Sequence, residues 1–146
     1  MTLQSNSKKN EREINIKSTT ENLSIIREFI KKEALNSGLT QEAIGNMVLA
    51  VDEACTNVIK HAYKYSPDGE IAVKVKVKKS KFTIEITDKG AHFNPSAIPE
   101  PDLAEYHKQK KIGGLGMFLM RKLMDEVEYT SISGNRNQVT LVKYLT

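Results

Sequence analysis

At 146 residues, 39% hydrophobic and 27% charged, the chain is long enough to bury one core and fits a single globular domain. A net charge of +4 is compatible with an anionic ligand or an acidic partner, yet falls well short of a nucleic-acid-binding tail. The single cysteine, Cys55, excludes an internal disulfide and a zinc framework, no apolar stretch is long enough to span a bilayer, and "MTLQSNSKKN" lacks the apolar region of a secretory signal, so a cytoplasmic protein is expected.

Residues 1–12 read as a flexible N-terminus and residues 13–146 as one domain. Ile14 and Ile16 alternate with polar residues as in a short strand. "TTENLSIIREFIKKEAL" follows with Leu23, Ile26, Phe29 and Ile30 on one helical stripe and Gly38 near its end. A second helix is predicted from about Thr40, a plausible cap, to Ala62; Ile44, Val48, Val51, Cys55, Ile59 and Ala62 recur at steps of three and four. "SPDG" marks a turn. Beyond it, Ile71, Val73, Val75 and Val77 face one way and Lys74, Lys76 and Lys78 the other. Phe82, Ile84 and Ile86 then alternate with Thr83, Glu85 and Thr87, which makes a hairpin turning near Lys79 and Ser80. The lysines read as a solvated sheet face; a nucleic-acid surface lacks interleaved aromatic residues.

From Asn94 to Gly113 the chain carries Pro95, Pro99 and Pro101 and the charged run "AEYHKQKK", a long loop of the functional or mobile kind. "GGLG" then opens an apolar helix predicted to reach about Val127, and "VEYTSIS" and "NQVTLVKYL" form a last strand pair around "SGNRN". The order β-α-α-β-β-loop-α-β-β predicts an α/β domain with helices on one sheet face.

Three segments carry candidate chemistry. "GGLG" has no Lys-Ser/Thr ending and does not follow the first strand of a βαβ unit, so neither a P-loop nor a dinucleotide fingerprint fits. What remains is tight packing at a helix start, or phosphate held on unpaired backbone N–H groups. Glu53, Asn57 and His61 stand four apart on the second helix: either a polar helix face, or a carboxylate that orients or deprotonates a nucleophile beside a carboxamide that ligates a hard cation such as magnesium. Asp88, with Gly90 after it in "TDKGAHFN", is either a turn or an acceptor for an exocyclic amine such as that of adenine.

In this order, E-x-x-x-N-x-x-x-H-A, D-x-G-x-x-F, a long loop and G-G-L-G resemble the GHKL superfamily of ATP-binding domains. "VDEACTNVIKHAY" and "GGLGMFLMRKLMDEVEY" more closely resemble the small bacterial anti-sigma-factor serine/threonine kinases of the RsbW and SpoIIAB kind, over nearly the whole chain. The resemblance implies an α/β two-layer sandwich of the GHKL (Bergerat) type, with a mixed, mostly antiparallel sheet and helices on one face. It implies ATP and Mg2+ as cofactors, with Asn57 as metal ligand and Glu53 as the general base or the group that orients it. Asp88 and Gly90 would hold adenine, Thr140 would support that end, and Gly114, Leu115, Gly116 and Met117 would meet the phosphates, with Lys111 at the lid's return. His92 stands where many relatives carry glycine, a departure at the pocket edge. The implied activity is phosphorylation of a STAS-domain antagonist together with sequestration of a sigma factor by a homodimer. The alternative is an ATP-binding regulatory switch without appreciable kinase activity.

Overall fold

The computed structural model describes residues 2–5, 10–92, 116–132 and 134–145. Their strands, β1 (Thr2–Ser5), β2 (Glu11–Lys17), β3 (Glu70–Lys78), β4 (Lys81–Asp88), β5 (Glu126–Ile132) and β6 (Arg136–Tyr144), form one sheet in the order β1-β2-β3-β4-β6-β5. Every pairing among them is antiparallel. Three helices, α1 (Leu23–Asn36), α2 (Gln41–Asn57) and α3 (Gly116–Leu123), form the second layer, with α2 packed between the other two.

The period-two pattern decides which sheet face is covered. Ile14 and Ile16 on β2, Ile71, Val73 and Val75 on β3, Phe82, Ile84 and Ile86 on β4, and Val139 and Leu141 on β6 are all buried. They occupy facing register positions, so one side of the sheet presents a continuous apolar surface to the helices. The helices answer with Leu23, Ile26, Phe29 and Ile30 from α1 and Ile44, Met47, Val51 and Cys55 from α2, all in one core with Met120 and Met124. Burial of Cys55 raises its thiol pKa well above the ordinary range and leaves it a packing residue. On the other sheet face the lysines meet carboxylates: Lys76 Nζ lies 3.1 Å from Glu85, and on β4 Lys81 Nζ lies 3.3 Å from Glu126. That face is solvated and of mixed sign, as its alternation predicts.

The helix boundaries follow local chemistry. Thr40 caps α2 by accepting a hydrogen bond from the Ala43 N–H. After Asn57 the helix widens, and Val58–Ala62 form a π-helical turn closed by Tyr63 N to Val58 O at 3.0 Å. α3 ends at Leu123 rather than near Val127. There the Lys143 ammonium donates to the Leu123 carbonyl, and Asp125 N–H donates to Val142 O, turning the chain into the sheet. Thr2–Ser5 also departs from expectation. Placed by sequence in a loose N-terminus, it pairs with Arg12–Asn15 as an edge strand. Its four residues are too few and too polar for alternation to signal a strand, and backbone pairing supplies the order.

The β3–β4 hairpin turns on two residues, Lys79 and Ser80, with φ of +53° and +62°. Both lie in the left-handed region that the tight hairpin turn demands, where Asn and Gly are less strained. Replacing Lys79→Asn and Ser80→Gly together is expected to raise unfolding stability by about 1 kcal/mol. Urea denaturation of the pair variant against the parent checks it.

Candidate nucleotide site

At the end of β4 the inward face of the sheet stops being apolar. Asp88 continues the series Phe82, Ile84, Ile86 and is 3% exposed, a carboxylate at a position otherwise given to core residues. Two donors hold it, and both use Oδ1: Gly90 N–H at 2.9 Å and the Asn137 amide at 3.0 Å. Burial raises the carboxyl's pKa, and the two hydrogen bonds pull it back. Among the described residues no donor meets Oδ2, so that oxygen is the acceptor on offer to an incoming N–H.

The loop behind Asp88 is stapled to the end of the helical layer. Ala91 N–H donates to Ala62 O at 2.8 Å. That carbonyl is available because the π-helical turn ends there and Ser66 N–H bonds Tyr63 O instead. Gly90 passes so close that a Cβ on it would lie 2.5 Å from the Ala62 carbonyl oxygen. Tyr63 makes a second staple: its hydroxyl donates to Glu70 O at 2.6 Å and accepts from Lys89 N–H at 2.8 Å. Burial raises the pKa of that phenol, keeping it a neutral donor.

α2 supplies the other half of the site. Glu53 and Asn57 are one helical turn apart and both partly buried. Burial and then the neighbouring Asp52 carboxylate raise the Glu53 pKa, with Lys60 opposing. Asp52 itself is tied to Arg27 of α1 at 2.5 Å, which fixes α2 at this level. Because Asn57 ends the α-helix and His61 lies in the widened turn, exposed, the run of three polar residues divides into a pair and an outlier.

Asn57 and Asp88 are thereby joined through a short path: Asn57, the π-helical turn to Ala62, then Gly90 and Asp88. Gly116 and Met117 open α3, which packs on α2. Lys111, Gly114 and Leu115 lie outside the described residues. Thr140 requires a correction. It pairs with Glu85, not with Asp88, and the pleat puts it on the opposite sheet face, where its hydroxyl accepts from Gln138 at 3.4 Å. The residue that supports Asp88 is Asn137, its direct partner across β4 and β6. Its amide also donates to Gly90 O at 3.1 Å, and its Oδ1 lies 3.4 Å from His92 Nδ1. The His92 departure thus sits on the same carboxamide that orients the aspartate. Finding Asn137 from sequence needed the strand order, since β4 neighbours β6 and not β5.

Among the described residues no group of three or more His, Cys, Asp or Glu side chains could hold a metal ion. A carboxamide oxygen is instead a hard, neutral ligand that suits magnesium completing its shell from phosphate and water.

Among the described residues, three helices on an antiparallel sheet, a buried carboxylate at a strand end and an acid–amide pair on the central helix fit a nucleotide-binding domain. The chain belongs to the histidine kinase-like ATPase domain family, which matches residues 16–143. Within it, the chain is 38% identical over 140 residues to the serine-protein kinase RsbW of Bacillus pumilus, covering 91% of this chain and 85% of the relative. It is 33% identical over 138 residues to the serine-protein kinase RsbW of Bacillus subtilis, covering 91% and 84%. In fold it is similar to the RsbU and RsbW domains of a Mycobacterium tuberculosis protein, with a TM-score of 0.66 at 16% identity, over 92% of this chain and 32% of that one. It is also similar to a chain of the SiaB–SiaC complex of Pseudomonas aeruginosa, with a TM-score of 0.55 at 12% identity, over 90% and 88%.

Gly90→Ala is expected to weaken ATP binding at least tenfold and to destabilise the fold by about 1–3 kcal/mol, since the clash is with backbone. Nucleotide titration calorimetry and thermal unfolding of the same preparation measure both effects.

Proposed function

We propose that this protein is an anti-sigma-factor serine/threonine kinase: it transfers the γ-phosphoryl of Mg-ATP to a STAS-domain antagonist in the cytoplasm and, with that antagonist phosphorylated, holds a sigma factor inactive. The observation that carries the reading is the pairing of Glu53 and Asn57 one turn apart on α2, whose π-helical continuation is bonded at Ala62 to the loop after the buried Asp88. The similarity to the RsbW serine-protein kinases supports it over most of both chains.

Each residue has a distinct task. Asp88 Oδ2 accepts from the exocyclic amine of adenine, and Asn137 and Gly90 keep Oδ1 occupied so that the carboxylate stays aimed. Asn57 would hold Mg2+, which neutralises charge on the phosphate oxygens when bound. Gly114, Leu115, Gly116 and Met117 would present backbone N–H groups to the phosphate end, with Lys111 alongside. Glu53 then takes the proton from the acceptor serine hydroxyl. The serine oxygen forms a bond to the γ-phosphorus, the bond to the β-phosphate oxygen breaks, and ADP leaves with that electron pair.

Glu53 is the residue on which this reading and a switch that only binds ATP differ. Burial and then the Asp52 carboxylate raise its pKa, which suits a proton acceptor once it is ionised. Homodimerisation is part of the same proposal and rests on the family resemblance.

Two outcomes are expected. Glu53→Gln should lower phosphoryl transfer from labelled ATP to a STAS protein by about 100-fold or more while leaving ATP affinity within a few-fold. Labelled STAS protein at the wild-type rate would sink the base assignment. Because the base acts ionised, wild-type kcat should fall as pH falls through a pKa above the ordinary glutamate value of 4.5. That acidic limb should vanish in Glu53→Gln, and a pH–rate series on both proteins checks it.

A further inference from the structure

The mechanism uses Glu53 and Asn57 but leaves the rest of their helix edge without a role. Residues four apart along that edge, Gly45, Leu49, Glu53 and Asn57, are all outside the buried core. Leu49 is 42% exposed, although most apolar side chains of α2 are buried. One turn further, a Cβ built on Gly45 meets nothing within 4 Å, so the helix surface steps down there. A lone exposed leucine is ordinary. What distinguishes Leu49 is register: it stands one turn, about 6 Å along the axis, from the proposed base.

We propose that the acceptor-bearing segment of the partner protein lies along this edge of α2, with an apolar side chain of the partner seated on Leu49 and toward the step at Gly45. The proposal rests on the kinase reading, which puts an acceptor serine at Glu53. A serine side chain is short, and its hydroxyl must come within about 3 Å of the Glu53 carboxylate. The acceptor backbone therefore passes directly over α2, and its flanking residues cover the adjoining turns. An extended segment advances about 3.3 Å per residue and a helical one about 1.5 Å. The side chain about two residues from the serine in an extended segment, or about four in a helical one, therefore falls over Leu49. The Arg27–Asp52 ion pair holds α1 against α2 at the same level, so the edge is presented as a fixed surface. The substrate class that fits is a serine with an apolar residue about two positions away in an extended segment or about four in a helical one.

Leu49→Gln tests this without adding charge beside Glu53, and Leu49→Met is the conservative control. Transfer from labelled ATP to a purified STAS-domain protein is measured across acceptor concentrations, with ATP affinity and sedimentation measured in parallel. The expected result is an acceptor KM raised about tenfold in Leu49→Gln, with ATP affinity, kcat at saturation and subunit association unchanged, and Leu49→Met close to wild type. An acceptor KM within twofold of wild type overturns the docking surface alone. Altered subunit association in Leu49→Gln also overturns it, giving this face to a second copy of the chain. Wild-type protein that binds ATP yet labels no STAS protein overturns the kinase reading, and the docking proposal with it.

Discussion

The site depends on one contact between layers: the end of β4 drawn against the end of α2's π-helical turn. Ala91 N–H bonds Ala62 O at 2.8 Å, and Gly90 packs where any side chain would collide with that carbonyl. Without this contact the buried Asp88 carboxylate would rest on the Asn137 amide across the sheet, with the Gly90 N–H no longer fixed beside it, a costlier arrangement. With it, the backbone of Gly90 and the amide of Asn137 share Oδ1 and leave Oδ2 for a ligand. Asp88 and the α2 pair Glu53 and Asn57, the residues proposed to meet the base, the metal and the proton, are thus linked by a few residues of backbone.

The end of the helix is what permits the contact. A regular α-helix continued past Ala62 would direct that carbonyl to its own chain four residues on. Instead the helix stops, Ser66 N–H bonds Tyr63 O, and the Ala62 carbonyl is left for the β4 loop. Tyr63, immediately after, fastens Glu70 and Lys89 with one hydroxyl, and its ring lies so close over Gly69 that a Cβ there would be 2.5 Å away. Helix termination, glycine placement and the carboxylate's orientation are therefore one arrangement.

Much of this was legible in the sequence because the signals were periodic. The stripes of α1 and α2 and the alternation of β3 and β4 reflect burial on one face, and Ile26, Val51, Val73 and Ile84 occupy the core as their spacing predicts. Glu53, Asn57 and Asp88 were singled out as a set because their order resembles a known family. Thr140 was misplaced because support for Asp88 depends on cross-strand register, which a linear reading does not contain; Asn137 holds that position. The edge strand at Thr2–Ser5 and the widened turn at Val58–Ala62 were invisible for a related reason. Both are set by backbone hydrogen bonding to partners distant in sequence or by tertiary packing, and neither leaves a pattern of side chains.

Asp88 Oδ2, proposed as the base-recognition acceptor, is the group whose loss most affects the proposed ATP site. Titration calorimetry of Mg-ATP into Asp88→Asn, with circular dichroism to verify the fold, tests it most directly. ATP affinity is expected to fall about tenfold to a hundredfold in the folded variant, the range for losing a hydrogen bond to a charged group. A folded Asp88→Asn protein that binds ATP as tightly as the wild type would contradict it.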